Sequence, residues 1–262
     1  MKKLFAYFFL CISLIALAIN ISGFLFKLSP SEIKEENLRF ENDQIYTYED
    51  ALEHIRWTES DSKATYAQRL NSTIAGRLAH VHWEKYTPTR FNQTVPVWEN
   101  YILYLAGKLS NIPEFERYHF SDPYRSLERG IGICGDASMN LSKLLDNEDV
   151  ANTIISFPGH VIVEVEIAEN IKHVFDPDFN VILPYSIEEI NAQSDLIIPF
   201  YEEKGYSEKE INNLVNKYQL EFKRWQGVEH FITKKYYFEY ASYFLIWILP
   251  FLFFLLFLKL RK

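Results

Sequence analysis

Apolar residues crowd both ends of the chain and become periodic between them. From residue 4 to residue 26 no charge interrupts the apolar run, and Lys2, Lys3 and Lys27 flank it. At about 1.5 Å per residue, such a helix reaches across a hydrocarbon layer of about 30 Å. A cleaved signal peptide competes with this reading, because Ala16-Leu17-Ala18 has the A-x-A form. The run continues through Ile19, Ile21, Phe24, Leu25 and Phe26, which favours an uncleaved anchor. Residues 241–258 form a second charge-free run, closed by Lys259, Arg261 and Lys262. It reads as a second transmembrane helix, bent at Pro250, with Tyr236, Tyr237, Tyr240, Tyr243 and Trp247 as an interfacial aromatic belt.

Between the ends, residues 28–122 read as mostly helical. Thr47 opens a T-x-x-D capping pattern, and Leu70, Ile74, Leu78 and Val81 recur on one helical face. Pro88 and Pro96 bracket a loop, with Pro96 expected to start a helix carrying Tyr101, Leu105 and Leu109. Trp57, Trp83 and Trp98 are expected in the core of this helical part. Next, the glycine-rich turn of Gly130 and Gly132 leads to Cys134, and Ala137, Leu141, Leu144 and Leu145 follow at helical spacing. A β-rich block succeeds it over residues 153–157, 161–167, 173–175 and 181–183. Ser186 with Glu189, and Ser207 with Glu210, then open two helices as capping boxes. The second carries a stripe of Ile211, Leu214, Val215, Tyr218, Phe222 and Trp225.

Charge orients the two spans. Of 27 Lys and Arg, five sit at the extreme ends (Lys2, Lys3, Lys259, Arg261, Lys262), whereas all 35 Asp and Glu lie between. Basic residues prefer the cytoplasmic side, so in the cell membrane of a bacterium (its inner membrane where there are two) both termini are expected inside and the central region outside, in the periplasm or, with a single membrane, at the cell's outer surface. The acidic balance argues against a nucleic-acid partner, whose binding needs clustered Lys and Arg. His80-x-His82 lacks a third ligand and an H-E-x-x-H pattern, so no metal is expected there. Cys134 is the only cysteine outside the apolar ends, Cys11 being within the first run. A single cysteine forms no internal disulfide, which suits a reactive thiol better than a staple.

The chemistry concentrates in one stretch. Cys134 at a helix start, His160 after Pro158-Gly159, and Asp176 before Pro177 supply an attacking sulfur, a base and a group that orients the base. Unpaired N–H groups at a helix start favour a thiolate. His160 would open one strand and Asp176 would close the next, so antiparallel pairing sets them side by side. This G-x-C, G-H and D-P arrangement resembles the transglutaminase-like superfamily, a papain-like cysteine fold, over residues 124–183. Val161-Ile162 and Phe175 stand where many members carry Ala-Trp and a tryptophan. The resemblance implies that Cys134 is the nucleophile, His160 the base and Asp176 the orienting acid.

The resulting expectation is an α+β protein, with a helical part and an antiparallel sheet between two transmembrane helices. Residues 1–27 would form an anchor, 28–235 an extracytoplasmic transglutaminase-like domain, and 236–262 a second helix with a basic cytoplasmic tail. The implied activity is peptidase, amidase or acyl transfer on protein or peptide amides through a thioester, with no metal or organic cofactor. The alternative is a catalytically inactive scaffold or binding module of a membrane assembly. Partners would be the lipid bilayer, a peptide substrate and other membrane proteins.

Overall fold

The computed structural model describes residues 2–30, 33–39 and 46–262. The chain divides into two compact units: one of Met1–Ser31, Glu84–His119 and Lys234–Lys262, the other of Glu32–Trp83 and Phe120–Thr233. The sequence reading assigns Glu84–His119 to the central region; in the structure this segment shares a unit with the two apolar helices.

In that first unit, helices Lys2–Ser22 and Thr233–Arg261 are long and apolar enough to cross a membrane. Tyr7 meets Phe257, Phe9 stacks on Phe253 and Phe24 meets Trp247, so the helices run antiparallel and their basic ends lie together. The second helix begins at Thr233, eight residues before the charge-free run, and passes through Pro250 as one element. Proline has no N–H, so the carbonyl four residues earlier, on Ile246, loses its helical partner. Asn20 Nδ2 donates to that oxygen at 2.6 Å and Tyr101 O–H at 3.0 Å. Ser13 Oγ adds a bond of 2.7 Å to the carbonyl of Pro250. Asn20 of the first span and Tyr101 of helix Tyr101–Leu109 thus satisfy the carbonyl that proline leaves open. The helix expected from Pro96 starts instead at Tyr101, because Asn100 caps it through bonds to the N–H groups of Ile102 and Leu103.

The second unit is α+β. Among the described residues, five strands form one antiparallel sheet: β1 (Asn152–Phe157), β2 (His160–Ala168), β3 (Ile171–Asp176), β4 (Val181–Leu183) and β5 (Lys223–Trp225), in the order β4-β3-β2-β1-β5. Side chains alternate across a strand. Val163, Val165 and Phe175 therefore join one core with Leu141, Leu144 and Leu145 of helix Cys134–Asn147 and with Leu70 and Ile74 of helix Lys63–Arg77. On the other face Ile155, Ile162 and Val174 pack with Ile187, Ile190, Ile211 and Leu214 from the capping-box helices Ile187–Ala192 and Glu208–Tyr218.

Three local readings are corrected here. Val81 does not continue the helix of Leu70 and Ile74, which ends at Arg77; it bridges Leu38 instead. Phe222 and Trp225 do not extend the last helical stripe, because that helix stops at Tyr218 and residues 223–225 pair with β1. The sheet outcompetes the helical period: Trp225 Nε1 donates to Ser156 Oγ at 2.9 Å, and Arg224 reaches the buried Glu164 at 3.0 Å. Trp57 is 36% exposed and Trp83 and Trp98 are only half-buried, so none is a full core residue.

Candidate active site

The three sequence-selected residues lie in the second unit and converge. The turn before Cys134 is fixed first. Gly130 ends helix Pro123–Arg129 at φ +69°, a left-handed conformation that glycine adopts without strain. A Cβ on Gly132 would sit 2.8 Å from Asp136 Cβ, so only glycine allows the chain to fold back over the helix start. Asp136, fully buried, accepts the N–H of Ile133 at 3.0 Å and lies 3.5 Å from the buried Arg129. Ser138 Oγ then donates to the carbonyl of Val161 at 2.8 Å. One turn into the helix, this bond ties the Cys134 end to the residue that follows His160.

His160 is placed by a two-residue turn. Pro158 and Gly159 (φ +80°) join β1 to β2 with Phe157 opposite His160. Asp176 ends β3, whose pairing sets Phe175 against Val163, so His160 and Asp176 share one face. His160 Nε2 lies 2.7 Å from Asp176 Oδ2, with both side chains buried. Nδ1 is then the ring nitrogen left for a second partner. Cys134 Sγ, a His160 ring nitrogen and a carboxylate oxygen of Asp178 all lie within 4.8 Å of one another. Cys134 is half-buried. Burial alone would push the imidazole down, but Asp176 and Cys134 beside it outweigh burial and raise His160 to about 10.

Five further residues shape the site, and nothing in the sequence assigns them to it. Tyr201 O–H donates to Asp176 Oδ2 at 2.6 Å and lies 3.1 Å from Tyr218 O–H. Both tyrosines are fully buried, and the ring edges of Tyr218 and Phe179 flank the imidazole of His160. Burial, and then the Asp176 carboxylate, push both phenols well above their ordinary range, so each stays a hydrogen-bond donor. The Asp178 N–H donates to Asp176 Oδ1 at 3.2 Å, leaving both oxygens of that carboxylate bonded. Asp178 in turn lies 2.7 Å from His80 Nε2. Burial would raise the Asp178 carboxyl, but His80 holds it below the usual carboxylate range.

His80 arrives by a backbone route. Ala79 donates to the Gly130 carbonyl at 2.9 Å and accepts from the Gly132 N–H at 3.2 Å, so the Ala79-His80 segment is sewn to the turn that presents Cys134. His82, its neighbour in the H-x-H pair, is exposed. A groove lined by Trp57, Tyr66, Tyr124 and Leu144 lies toward the other end of the Cys134 helix, about 15 Å from the sulfur at a rise of about 1.5 Å per residue. It is therefore not the approach to Cys134. No family model, curated protein or solved structure matches the chain.

Proposed function

We propose that the protein is a membrane-anchored cysteine enzyme that cleaves or transfers acyl groups of protein or peptide amides, with a transglutaminase-like central domain. One observation carries the reading: a half-buried Cys134 at a helix start beside a buried His160 whose far nitrogen is held by Asp176 at 2.7 Å. In this mechanism Cys134 Sγ attacks the carbonyl carbon of a carboxamide or peptide and gives up its proton to His160. His160 returns that proton to the leaving nitrogen as the C–N bond breaks, which leaves a thioester on Cys134. Water or an amine then attacks the thioester, with His160 as base, and the sulfur leaves. Asp176 keeps the imidazole in one tautomer and stabilises its charged form. The Cys134 backbone N–H, unpaired at its helix start, supports the oxyanion. In this reading the antiparallel apolar pair anchors the enzyme in a lipid bilayer, and the basic residues at its shared end support a cytoplasmic side for both termini.

The test uses the full chain in detergent micelles with Cys11→Ser, so that Cys134 is the only thiol. Iodoacetamide should alkylate it rapidly near neutral pH, and His160→Ala should slow the reaction at least about tenfold. A glutamine-bearing peptide library with a labelled amine then separates hydrolysis from transfer. Equal alkylation curves for the two proteins would sink the catalytic reading and leave a binding or scaffold module with the same fold.

A further inference from the structure

Asp178 is not needed for the triad, yet its carboxylate points to the same space as Cys134 Sγ and a His160 ring nitrogen. We infer that Cys134, His160 and Asp178 form a three-donor site for a divalent metal ion of the zinc class, and that occupancy holds the thiol out of reaction. The metal site rests on geometry alone; its inhibitory consequence rests on the nucleophile reading above.

The donor set fits that class. Thiolate, imidazole and carboxylate are the ligands zinc takes, at about 2.3, 2.0 and 2.1 Å, whereas magnesium and calcium prefer oxygen only. At tetrahedral angles two such ligands lie about 3.5 Å apart, so side-chain adjustments of about an ångström draw the three donors, now within 4.8 Å of one another, around one ion. Each nitrogen or oxygen donor already has an orienting partner. Asp176 holds the far nitrogen of His160, and His80 holds Asp178, both at 2.7 Å. Carboxylate-to-histidine pairs of this kind set the tautomer and direction of a metal ligand. One thiolate and one carboxylate also balance a doubly charged cation in a setting where His160 and Asp178 are 3% and 5% exposed. Three protein ligands leave a fourth position on zinc open. Binding requires the thiolate of Cys134 and a proton-free ring nitrogen of His160, so the proton these two groups hold between them is released to solvent as the sulfur–metal and nitrogen–metal bonds form, with no change of oxidation state.

The experiment titrates the metal-free full chain, Cys11→Ser in micelles, with Zn2+ against a chromophoric chelator, and with Cd2+ for its sulfur-to-metal charge-transfer absorption. One ion per chain is expected, with protection of Cys134 from alkylation and release of protons. Asp178→Asn should weaken zinc at least about tenfold and His80→Gln about tenfold, each variant's metal-free alkylation serving as its own reference. Should Asp178→Asn fail to fold, His80→Gln carries the comparison. Rapid metal-free alkylation with no zinc protection would overturn the metal site and leave the nucleophile standing. Equal zinc affinity in the variants would also overturn it, since Cys134 and His160 alone would then hold the ion. Stoichiometric zinc with slow metal-free alkylation would support the metal site while the enzymatic reading fails.

Discussion

Asp176 is the residue on which the site turns, because three donors converge on its fully buried carboxylate: His160 Nε2, Tyr201 O–H and the Asp178 N–H. Removing one donor leaves the charge less compensated in a place water does not reach. Tyr201→Phe is therefore expected to lower stability by about 1.5–3 kcal/mol, the usual range for a bond to a charged group. Tyr218 bonds only the neutral Tyr201 hydroxyl within this chain of contacts, so Tyr218→Phe should cost about 1 kcal/mol. Denaturant unfolding of the two variants beside the parent checks the order; a larger loss for Tyr218→Phe would show that Tyr201 is not the principal support.

At the level of elements, the loop before helix Lys63–Arg77 hangs on one ion pair. Arg69 donates to Asp61 Oδ2 at 2.7 Å and also to the carbonyls of His54 and Arg56, while Thr58 N–H closes the loop onto the same carboxylate. Arg69 holds the Asp61 carboxyl well below the usual range. A depressed native pKa means that the stabilisation is present above the unfolded value, about 3.9, and is lost as pH falls below it. Asp61→Asn should accordingly lower the melting temperature near pH 7, and the gap to the parent should narrow as pH drops through about 4. A gap that stays constant over that range would mean the charge is irrelevant to the loop. Helix Lys63–Arg77 itself is more robust, since Leu70 and Ile74 lie wholly within the core it shares with helix Cys134–Asn147.

For the molecule as a whole, polar contacts to the second apolar helix tie it to the first helix and to helix Tyr101–Leu109 of the same unit. Asn20 and Tyr101 both serve the Ile246 carbonyl that Pro250 leaves open. Replacing both, as Asn20→Leu with Tyr101→Phe, should weaken the unit by about 1 kcal/mol, given about 0.6 kcal/mol for such a bond in a membrane. In a Pro250→Ala background the helical N–H returns, and the same double change should cost markedly less. This cycle, followed by unfolding in mixed micelles, isolates the coupling. An unchanged cost in both backgrounds would mean that the proline plays no part in it.

Much of the architecture is written locally. The two apolar spans, the Pro158-Gly159 turn, the capping boxes at Thr47, Ser186 and Ser207, and the strand runs of β2 and β3 rest on neighbours within a few residues, and each forms where its pattern predicts. The proximity of His160 and Asp176 followed as well, because a hairpin fixes which residues face each other. Other features rest on pairs far apart in the chain. His80 meets Asp178 across 98 positions, Tyr201 meets Asp176 across 25, and Arg224 pulls residues 223–225 into the sheet through Glu164, 60 positions away. The grouping of Glu84–His119 with the apolar helices is of the same kind. Sequence periodicity reports which face of an element is apolar, and so it marked most elements and their order, while the residue types in the two turns and at the end of β3 marked the Cys134, His160, Asp176 set. Only the tertiary structure decided which polar side chains from distant segments close around that set, because a buried hydrogen bond selects its partner by position in space and leaves no period in the chain.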